Sequence, residues 1–231
     1  MEKLEIIGRK KLSGTIAISG SKNATLPILA ATILTNKKIV IKNVPIVRDV
    51  ETMVTLLNTI GSFVKIKKKK KIIEILNKKN LKTLAPYSLV KTMRAGVLVL
   101  GPLLAKYGSA KVSLPGGCSI GSRPIDLHLN ALKKMGAKIN VKNGYIIASA
   151  KNGLKGALIR FPKISVGATQ NILIASCFSK GNWDVYLRYP TMRLVVRECQ
   201  RGCHCCSRHV RDLVHRRFRS ALIHLLHLRN V

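Results

Sequence analysis

The apolar and polar positions of this chain form a pattern that recurs with a period near 70 residues. The first unit opens with the alternating segment GTIAIS (14–19), which predicts a strand. A small-residue turn at 20–24 leads into the apolar segment TLPILAATILT (25–35), which predicts a helix. The segment KKIVIKNV (37–44) then predicts a second strand.

A second helix is predicted over 47–61, with Gly61 ending it as a C-cap would. Two strands are expected to flank the lysine run at 67–71, which we interpret as a solvated hairpin tip. The apolar residues of this helix recur at a spacing that predicts one buried face: Val50, Met53, Val54, Leu57 and Ile60.

The second unit repeats this order as a turn, a helix, a strand, a second helix and a hairpin: 93–96, 97–108, 110–117, 123–136 and 137–150. Gly136 stands where Gly61 stood in the first unit, and Asn143-Gly144 is a strong hairpin-turn signal. The third unit begins in the same way, with a strand, a turn and a helix: 157–162, 163–168 and 169–181. Its second helix, capping glycine and hairpin are not found in the sequence that follows.

These units predict an α/β fold of repeated βαβ-type units, in which the helices pack against each other and the sheets lie outside. The third unit is incomplete, so we predict a domain over 22–182 and an unrelated tail over 183–231. All 27 lysines precede residue 183, whereas the tail holds ten of 15 arginines, five of six histidines and four of six cysteines. A frameshift or similar accident after about residue 181 explains this change of composition.

The formal charge of +33 raises the question of a nucleic-acid partner. Before the tail the lysines are spread over all segments, and few aromatic residues are present to stack on bases. No apolar run is long enough to span a bilayer, and the N-terminus lacks the apolar region of a secretory signal. We therefore expect a cytoplasmic protein with no specific nucleic-acid partner and no membrane association.

The tail leaves two alternatives open. Its cysteines and histidines offer zinc ligands, but the adjacency of Cys205 and Cys206 does not match the usual paired spacing, so no metal site is predicted. Its arginines and leucines are compatible with a basic amphipathic helix. The alternative function is thus a basic protein that binds nucleic acid or a membrane surface on a degraded scaffold.

The segment LPGGCSIGSRPIDLHL (114–129) carries the densest chemical signal. Its glycines predict a mobile loop that ends at a helix N-terminus, where Arg123 and the helix dipole favour an anion such as phosphate. Cys118 lies on this loop five residues before Arg123, so we interpret it as a reactive thiol rather than a buried one. Lys22 and Asn23 occupy the corresponding turn of the first unit.

Arg94 occupies the equivalent turn of the second unit, and residues 163–167 that of the third. Three turns with cationic or NH-rich groups predict one shared anion site where the helix ends converge. The chain resembles the UDP-N-acetylglucosamine enolpyruvyl transferases from Met1 to about Gly181. The motifs that carry this resemblance are ISGSKNATLPILAA and LPGGCSIGSRPIDLHL. The sister family that makes enolpyruvyl-shikimate phosphate shares the GSK turn but is not expected to carry this loop.

The resemblance implies an inside-out α/β barrel in which residues 1–21 belong to the other domain of the enzyme. It also implies a reaction of peptidoglycan synthesis in the cytoplasm, and hence a role in cell-wall biogenesis, cell shape and cell division. Phosphoenolpyruvate adds to the 3-hydroxyl of UDP-N-acetylglucosamine and phosphate leaves, with no cofactor and no metal. A monomer is expected.

By the same resemblance, Cys118 is the catalytic general acid, the site of a phosphoenolpyruvate adduct and the target of fosfomycin. Lys22, Asn23 and Arg123 form the phosphoenolpyruvate site, in which Lys22 and Arg123 bind the phosphate and Asn23 lies beside the sugar. Arg94 adds positive charge to the UDP-sugar site, whose pocket is lined by Arg123, Pro124, Ile125, Asp126, Leu127, Lys163, Ser165, Val166 and Gly167. Members of the family are about twice as long, and their second domain supplies an aspartate and an arginine. We therefore expect no meaningful transferase activity from this chain alone.

Overall fold

A computed structural model describes residues 5, 8, 13–116 and 125–181, together with the backbone of 183–186 and 193–196. Its first unit contains helix α1, strand β1, helix α2 and the hairpin strands β2 and β3: Lys22–Ala31, Ile39–Ile41, Arg48–Thr59, Ser62–Lys67 and Ile72–Asn77. The second contains β4, α3, α4, β5, α5, β6 and β7: Leu84–Ala85, Tyr87–Val90, Leu100–Tyr107, Ser109–Ser113, Asp126–Lys134, Lys138–Lys142 and Tyr145–Ser149. The third contains β8, α6, β9 and β10: Leu158–Arg160, Val166–Ser176, Trp183–Tyr186 and Arg193–Val196. Short 3₁₀ helices follow α1, close the β2–β3 hairpin and precede α4: Thr32–Leu34, Lys68–Lys70 and Arg94–Val99.

Each unit builds its own sheet, with strand orders β1-β3-β2, β4-β5-β7-β6 and β10-β9-β8. In the second unit β4 and β5 are parallel, and the chain between them forms α3, the 3₁₀ helix and α4. In the third unit β8 and β9 are likewise parallel and are connected through α6. The two crossovers confirm the predicted βαβ-type repeat in the second and third units.

The first helices of the units form the centre of the molecule. Helix α6 is buried at every position from Ala168 to Ser176, and α4 from Leu100 to Ala105. These helices pack on each other, and α1 also contacts α6. Both helices carry apolar residues on every side, and such helices are stable only when they are enclosed in this way. The prediction that helices pack inside and sheets outside is confirmed for these elements.

Helix α2 shows the amphipathic pattern predicted for it. The five residues expected on its apolar face are all buried: Val50, Met53, Val54, Leu57 and Ile60. Gly61 follows the helix with a φ of 105°, and Gly136 follows α5 with a φ of 91°. Both values lie in the left-handed region that glycine adopts without a Cβ penalty, so both predicted helix ends are confirmed.

The predicted strand at 14–19 is wrong for the described chain. Residues 15–20 have no strand assignment, and Ile16 and Ile18 are 88% and 87% exposed. An alternating apolar segment becomes a strand only when a neighbouring strand pairs with it, and the three described sheets contain no strand from this segment. The assignment of 1–21 to another domain stays a prediction.

Strands β9 and β10 lie beyond residue 182, and β9 pairs with β8 while β10 pairs with β9. The remaining tail residues lie outside the described part of the chain, as do the residues of the zinc and amphipathic-helix alternatives. None of the helices among the described residues combines the length and apolar character needed to cross a bilayer.

Candidate functional site

The turn before α1 is held in place by Asn43 and by hydrogen bonds to its own backbone. The Asn43 side chain accepts a hydrogen bond from the Gly20 N–H at 3.1 Å, and a Cβ at position 20 would overlap the Asn43 carbonyl oxygen. Only glycine allows the two backbone segments to approach this closely. The Ser21 carbonyl accepts bonds from the Thr25 N–H and hydroxyl, which closes the first helical turn over Lys22.

Lys22 and Asn23 are both exposed at the start of α1. The Lys22 ammonium lies 2.9 Å from the Asp49 carboxylate, and the two side chains are 48% and 36% exposed. Exposed ion pairs of this kind contribute only about 0–1 kcal/mol. A doubly charged phosphate can therefore compete with Asp49 for this lysine.

Arg94 begins the 3₁₀ helix Arg94–Val99 and is partly buried. Gly96 packs closely here, since a Cβ at that position would lie 3.1 Å from Val90 Cγ1. Arg94 is thus carried by a short segment that is held against α3 on one side and continues into α4 on the other.

The candidates of the third unit lie at the start of α6. Ser165 is the N-cap, and its hydroxyl accepts a bond from the Ala168 N–H at 3.3 Å. Lys163 and Val166 are exposed beside this cap, and Gly167 is partly buried. The first turn of an eleven-residue helix and the exposed lysine together present positive potential to solvent.

The candidates of the second helix in unit two lie at the start of α5. Asp126 is exposed in its first turn, where a carboxylate complements the helix dipole. Ile125 is partly buried and Leu127 is only 8% exposed, packed in the core. Leu127 therefore packs α5 against the core, and its predicted place in the nucleotide pocket stays a prediction.

Three candidates, Cys118, Arg123 and Pro124, lie outside the described residues. The two ends of their loop are described. Gly116 lies so close to the Lys91 carbonyl oxygen that a Cβ would overlap it, and the other end enters α5 at Ile125. The loop therefore begins beside the segment that carries Arg94 and ends beside the start of α5.

Sequence reasoning missed the buried pair that joins the start of α5 to α6. His128 is 7% exposed and Asn171 is 0% exposed, and Asn171 Nδ2 lies 3.1 Å from His128 Nδ1. A Cβ at Gly167 would lie 3.5 Å from the edge of the imidazole ring. Burial lowers the pKa of His128 to about 4, so the ring is neutral at pH 7. The signal in the sequence was a histidine and an asparagine within otherwise apolar helix faces.

The structure thus brings the α5 and α6 candidates together through His128 and Gly167. It places Lys22 beside α2 and Arg94 at the entry to α4, and α1 contacts the 3₁₀ helix that carries Arg94. Among the described residues no group of three or more His, Cys, Asp or Glu side chains could hold a metal ion.

The family model of EPSP synthase (3-phosphoshikimate 1-carboxyvinyltransferase) matches residues 6–196. The chain belongs to the enolpyruvyl transferase family. The match runs past residue 182, the predicted boundary between domain and tail, and the position of that boundary stays a prediction.

Curated enolpyruvyl transferases share close sequence similarity with the chain. The UDP-N-acetylglucosamine 1-carboxyvinyltransferase of Pelagibacter ubique (strain HTCC1062) is 62% identical over 181 residues, which are 78% of this chain and 43% of the relative. That of Campylobacter fetus subsp. fetus (strain 82-40) is 49% identical over 200 residues, 87% of this chain and 47% of the relative. The chain thus spans less than half the length of these relatives.

Solved enolpyruvyl transferases share the fold. NikO from Streptomyces tendae superposes with a TM-score of 0.63 at 17% identity, over 77% of this chain and 41% of NikO. EPSP synthase from Acinetobacter baumannii gives 0.62 at 20% identity, over 78% and 41%. At these identities the likeness concerns architecture alone, and it confirms the predicted α/β fold class.

Proposed function

We propose that this chain binds UDP-N-acetylglucosamine and phosphoenolpyruvate and carries one wall of an enolpyruvyl transferase site. The observation that carries the proposal is the 62% identity with a UDP-N-acetylglucosamine 1-carboxyvinyltransferase over 78% of the chain. The exposed cations at the helix starts support it, because two phosphorylated ligands require several positive groups and backbone N–H donors.

In this proposal Lys22 and Arg123 hold the phosphate of phosphoenolpyruvate, with Asn23 beside the sugar. Arg94 and the starts of α5 and α6 hold the nucleotide sugar. The 3-hydroxyl of the sugar gives its proton to the aspartate that the family's second domain supplies, and its oxygen bonds to C2 of phosphoenolpyruvate while the Cys118 thiol delivers a proton to C3. Phosphate then leaves from C2 as C3 returns a proton to the Cys118 thiolate, which restores the double bond in the enolpyruvyl ether.

Turnover requires more than this wall. A site that is open on one side cannot exclude water or fix both reactants, and fixing reactants can contribute roughly 7–11 kcal/mol to a barrier. The relatives are more than twice as long as the matched segment. We therefore propose that the chain, assayed by itself, binds the nucleotide sugar but does not release phosphate.

Calorimetric titration of the full chain with UDP-N-acetylglucosamine tests the proposal. Saturable binding is expected, with a large loss for Lys163→Glu at the start of α6 and little change for Lys70→Glu. Lys70 is an exposed lysine in the β2–β3 tip, so the two variants change the net charge equally. Absence of saturable binding, or equal loss in both variants, overturns the binding role; phosphate release above background overturns the inactivity.

A second candidate is favoured by the outer face of the first sheet. Its register places Lys65 and Val40 on either side of Glu74, and Lys67 and Lys38 both pair with this single carboxylate. Binding of a polyanion such as DNA would use this lysine-rich face. DNA titrations in the same buffers separate the two functions, because salt-sensitive DNA binding without nucleotide-sugar binding supports only the second.

A further inference from the structure

The 3₁₀ helix that carries Arg94 changes to the α-helix α4 shortly before Pro102. Pro102 has no N–H to offer the Leu98 carbonyl, so an α-helix cannot continue backward through this turn. The α-helix accordingly begins at Leu100, and Leu100 N–H bonds to the Val97 carbonyl in the 3₁₀ manner. The backbone that carries Arg94 thus meets α4 at a change of helix type.

The side chain of Asn171 reaches from α6 into this junction. Its Oδ1 accepts the Gly101 N–H at 2.9 Å, and its Nδ2 donates to the Val97 carbonyl at 3.3 Å. An unbroken α-helix would join these same two backbone groups directly. Gly101 is required for the insertion, because a Cβ there would overlap Asn171 Oδ1.

These two bonds fix which way the amide faces. Gly101 N–H can only donate and the Val97 carbonyl can only accept. A rotated amide would therefore place its NH₂ group against the Gly101 N–H and its oxygen against the Val97 carbonyl oxygen. The second hydrogen of Nδ2 then points to His128 Nδ1, 3.1 Å away. His128 Nδ1 must therefore be the bare acceptor, and the ring proton is placed on Nε2.

The other edge of the ring faces the start of α6. A Cβ at Gly167 would lie 3.5 Å from both Nε2 and Cε1, so the imidazole packs against the helix turn that follows Ser165. His128 itself belongs to α5, two residues after Asp126. The buried Asn171–His128 pair thus connects the entry to α4 with the starts of α5 and α6.

We propose that Asn171 is a positioning residue for the nucleotide-sugar site: it holds the Nε2–H form of His128 and thereby fixes the three helix starts relative to one another. The binding part of this inference rests on the proposed function. The part that concerns the ring proton stands on the hydrogen bonds alone. Asn171 touches no ligand in this scheme and acts only through His128 and the α4 junction.

Nitrogen-15 NMR of the full chain, through two-bond nitrogen–proton correlations of the histidine rings, tests the first part without any variant. His128 is expected as the Nε2–H form at pH 7. In Asn171→Asp the new carboxylate still accepts from Gly101 but can only accept from His128, so the ring proton is expected to move to Nδ1. A wild-type ring protonated on Nδ1, or an unchanged ring form in the variant, overturns the inference.

Affinity for UDP-N-acetylglucosamine tests the second part. We expect Asn171→Asp to weaken it about two- to thirtyfold, the range of changes at residues that couple sites without touching ligand. Asn77→Asp is the matched control, since Asn77 is 5% exposed and caps backbone carbonyls elsewhere. The control is expected to destabilise the fold while the His128 ring form and the affinity stay as in the wild type.

The outcomes separate the two proposals. A wild-type chain that binds no nucleotide sugar overturns the proposed function and the positioning role together, while the ring-proton result still stands or falls on its own. A shifted ring form with unchanged affinity overturns the positioning role alone. Equal losses of affinity in Asn171→Asp and Asn77→Asp reduce Asn171 to a general stabilising residue and overturn it as well.

Discussion

At the scale of single residues, the fold depends on a few polar side chains that repair backbone interruptions. Asn171 spans the junction before α4, and Asn77 donates to the carbonyls of Thr32 and Thr35 where α1 ends. Buried carbonyls without such donors are costly to the folded state. The two asparagines therefore stabilise helix ends that apolar packing alone would leave unsatisfied.

His128 is expected to make the protein less stable in mild acid. Its pKa is about 4 in the folded chain and 6.5 in the unfolded one, so the unfolded state binds the proton first. The stability that neutral His128 contributes is complete above pH 6.5 and is lost as the pH falls toward 4. The loss is on the order of 3 kcal/mol.

Urea denaturation between these pH values measures the effect. The His128→Gln variant serves as the reference, because glutamine can accept from Asn171 and does not titrate. The slope of stability against pH is expected to be shallower in this variant. Identical slopes in the two proteins would show that His128 takes no part.

Asn77 gives a second prediction at this scale. Asn77→Ala removes both donors from the end of α1, and we expect the free energy of unfolding to fall by about 1–3 kcal/mol. Asn80→Ala replaces an exposed asparagine in the segment that follows β3 and should change the free energy of unfolding by less than about 0.5 kcal/mol. Urea midpoints of the two variants decide the matter, and similar midpoints would remove the capping role from Asn77.

At the scale of elements, the sequence predicted what short-range chemistry controls. The buried face of α2 followed from helical spacing, and Asn143-Gly144 turns the β6–β7 hairpin with φ values of 51° and 74°. The start of α1 was placed three residues late, because the bonds from Thr25 to the Ser21 carbonyl were not foreseen. The short helix α3 was not foreseen either.

Contacts between distant segments were beyond sequence reasoning. The 3₁₀ helix before α4 spans residues that were predicted as a turn (94–96) and as the first residues of a helix (97–99), although Pro102 was a visible reason for the interruption. The Asn171–His128 contact joins residues 43 apart, and no local pattern specifies it. The sequence correctly placed the described candidate site residues at helix starts. The buried Asn171–His128 pair behind those starts could be recognised only from the packing of α5 against α6.

At the scale of the whole molecule, charge opposes compaction. The chain carries a formal charge of +33, and in the described part only a few lysines are paired: Lys22, Lys38, Lys67 and Lys68. Lys67 holds the pKa of Glu74 below its usual value, with smaller effects from Lys38 and Lys65. Repulsion among the remaining cations destabilises the compact state.

We therefore expect the melting temperature to rise with ionic strength. Screening shortens the Debye length from about 30 Å at 0.01 M salt to about 10 Å at 0.1 M, which weakens repulsion more than the close pairs. Each kcal/mol gained corresponds to about 2–4 °C for a chain of this size. Calorimetry in sodium chloride, with sucrose at equal osmolality as the control, measures the effect, and a fall with salt would contradict it.

The position of β3 in the middle of the first sheet has a consequence for protein engineering. The lysine tip that joins β2 to β3 is exposed, so trypsin can cut the chain there. The piece before the cut contains β1 and β2, while the piece after it contributes the strand that lies between them. Two separately made pieces are therefore expected to reassemble by insertion of β3 between β1 and β2, which makes this hairpin a natural place to divide the chain for fragment complementation.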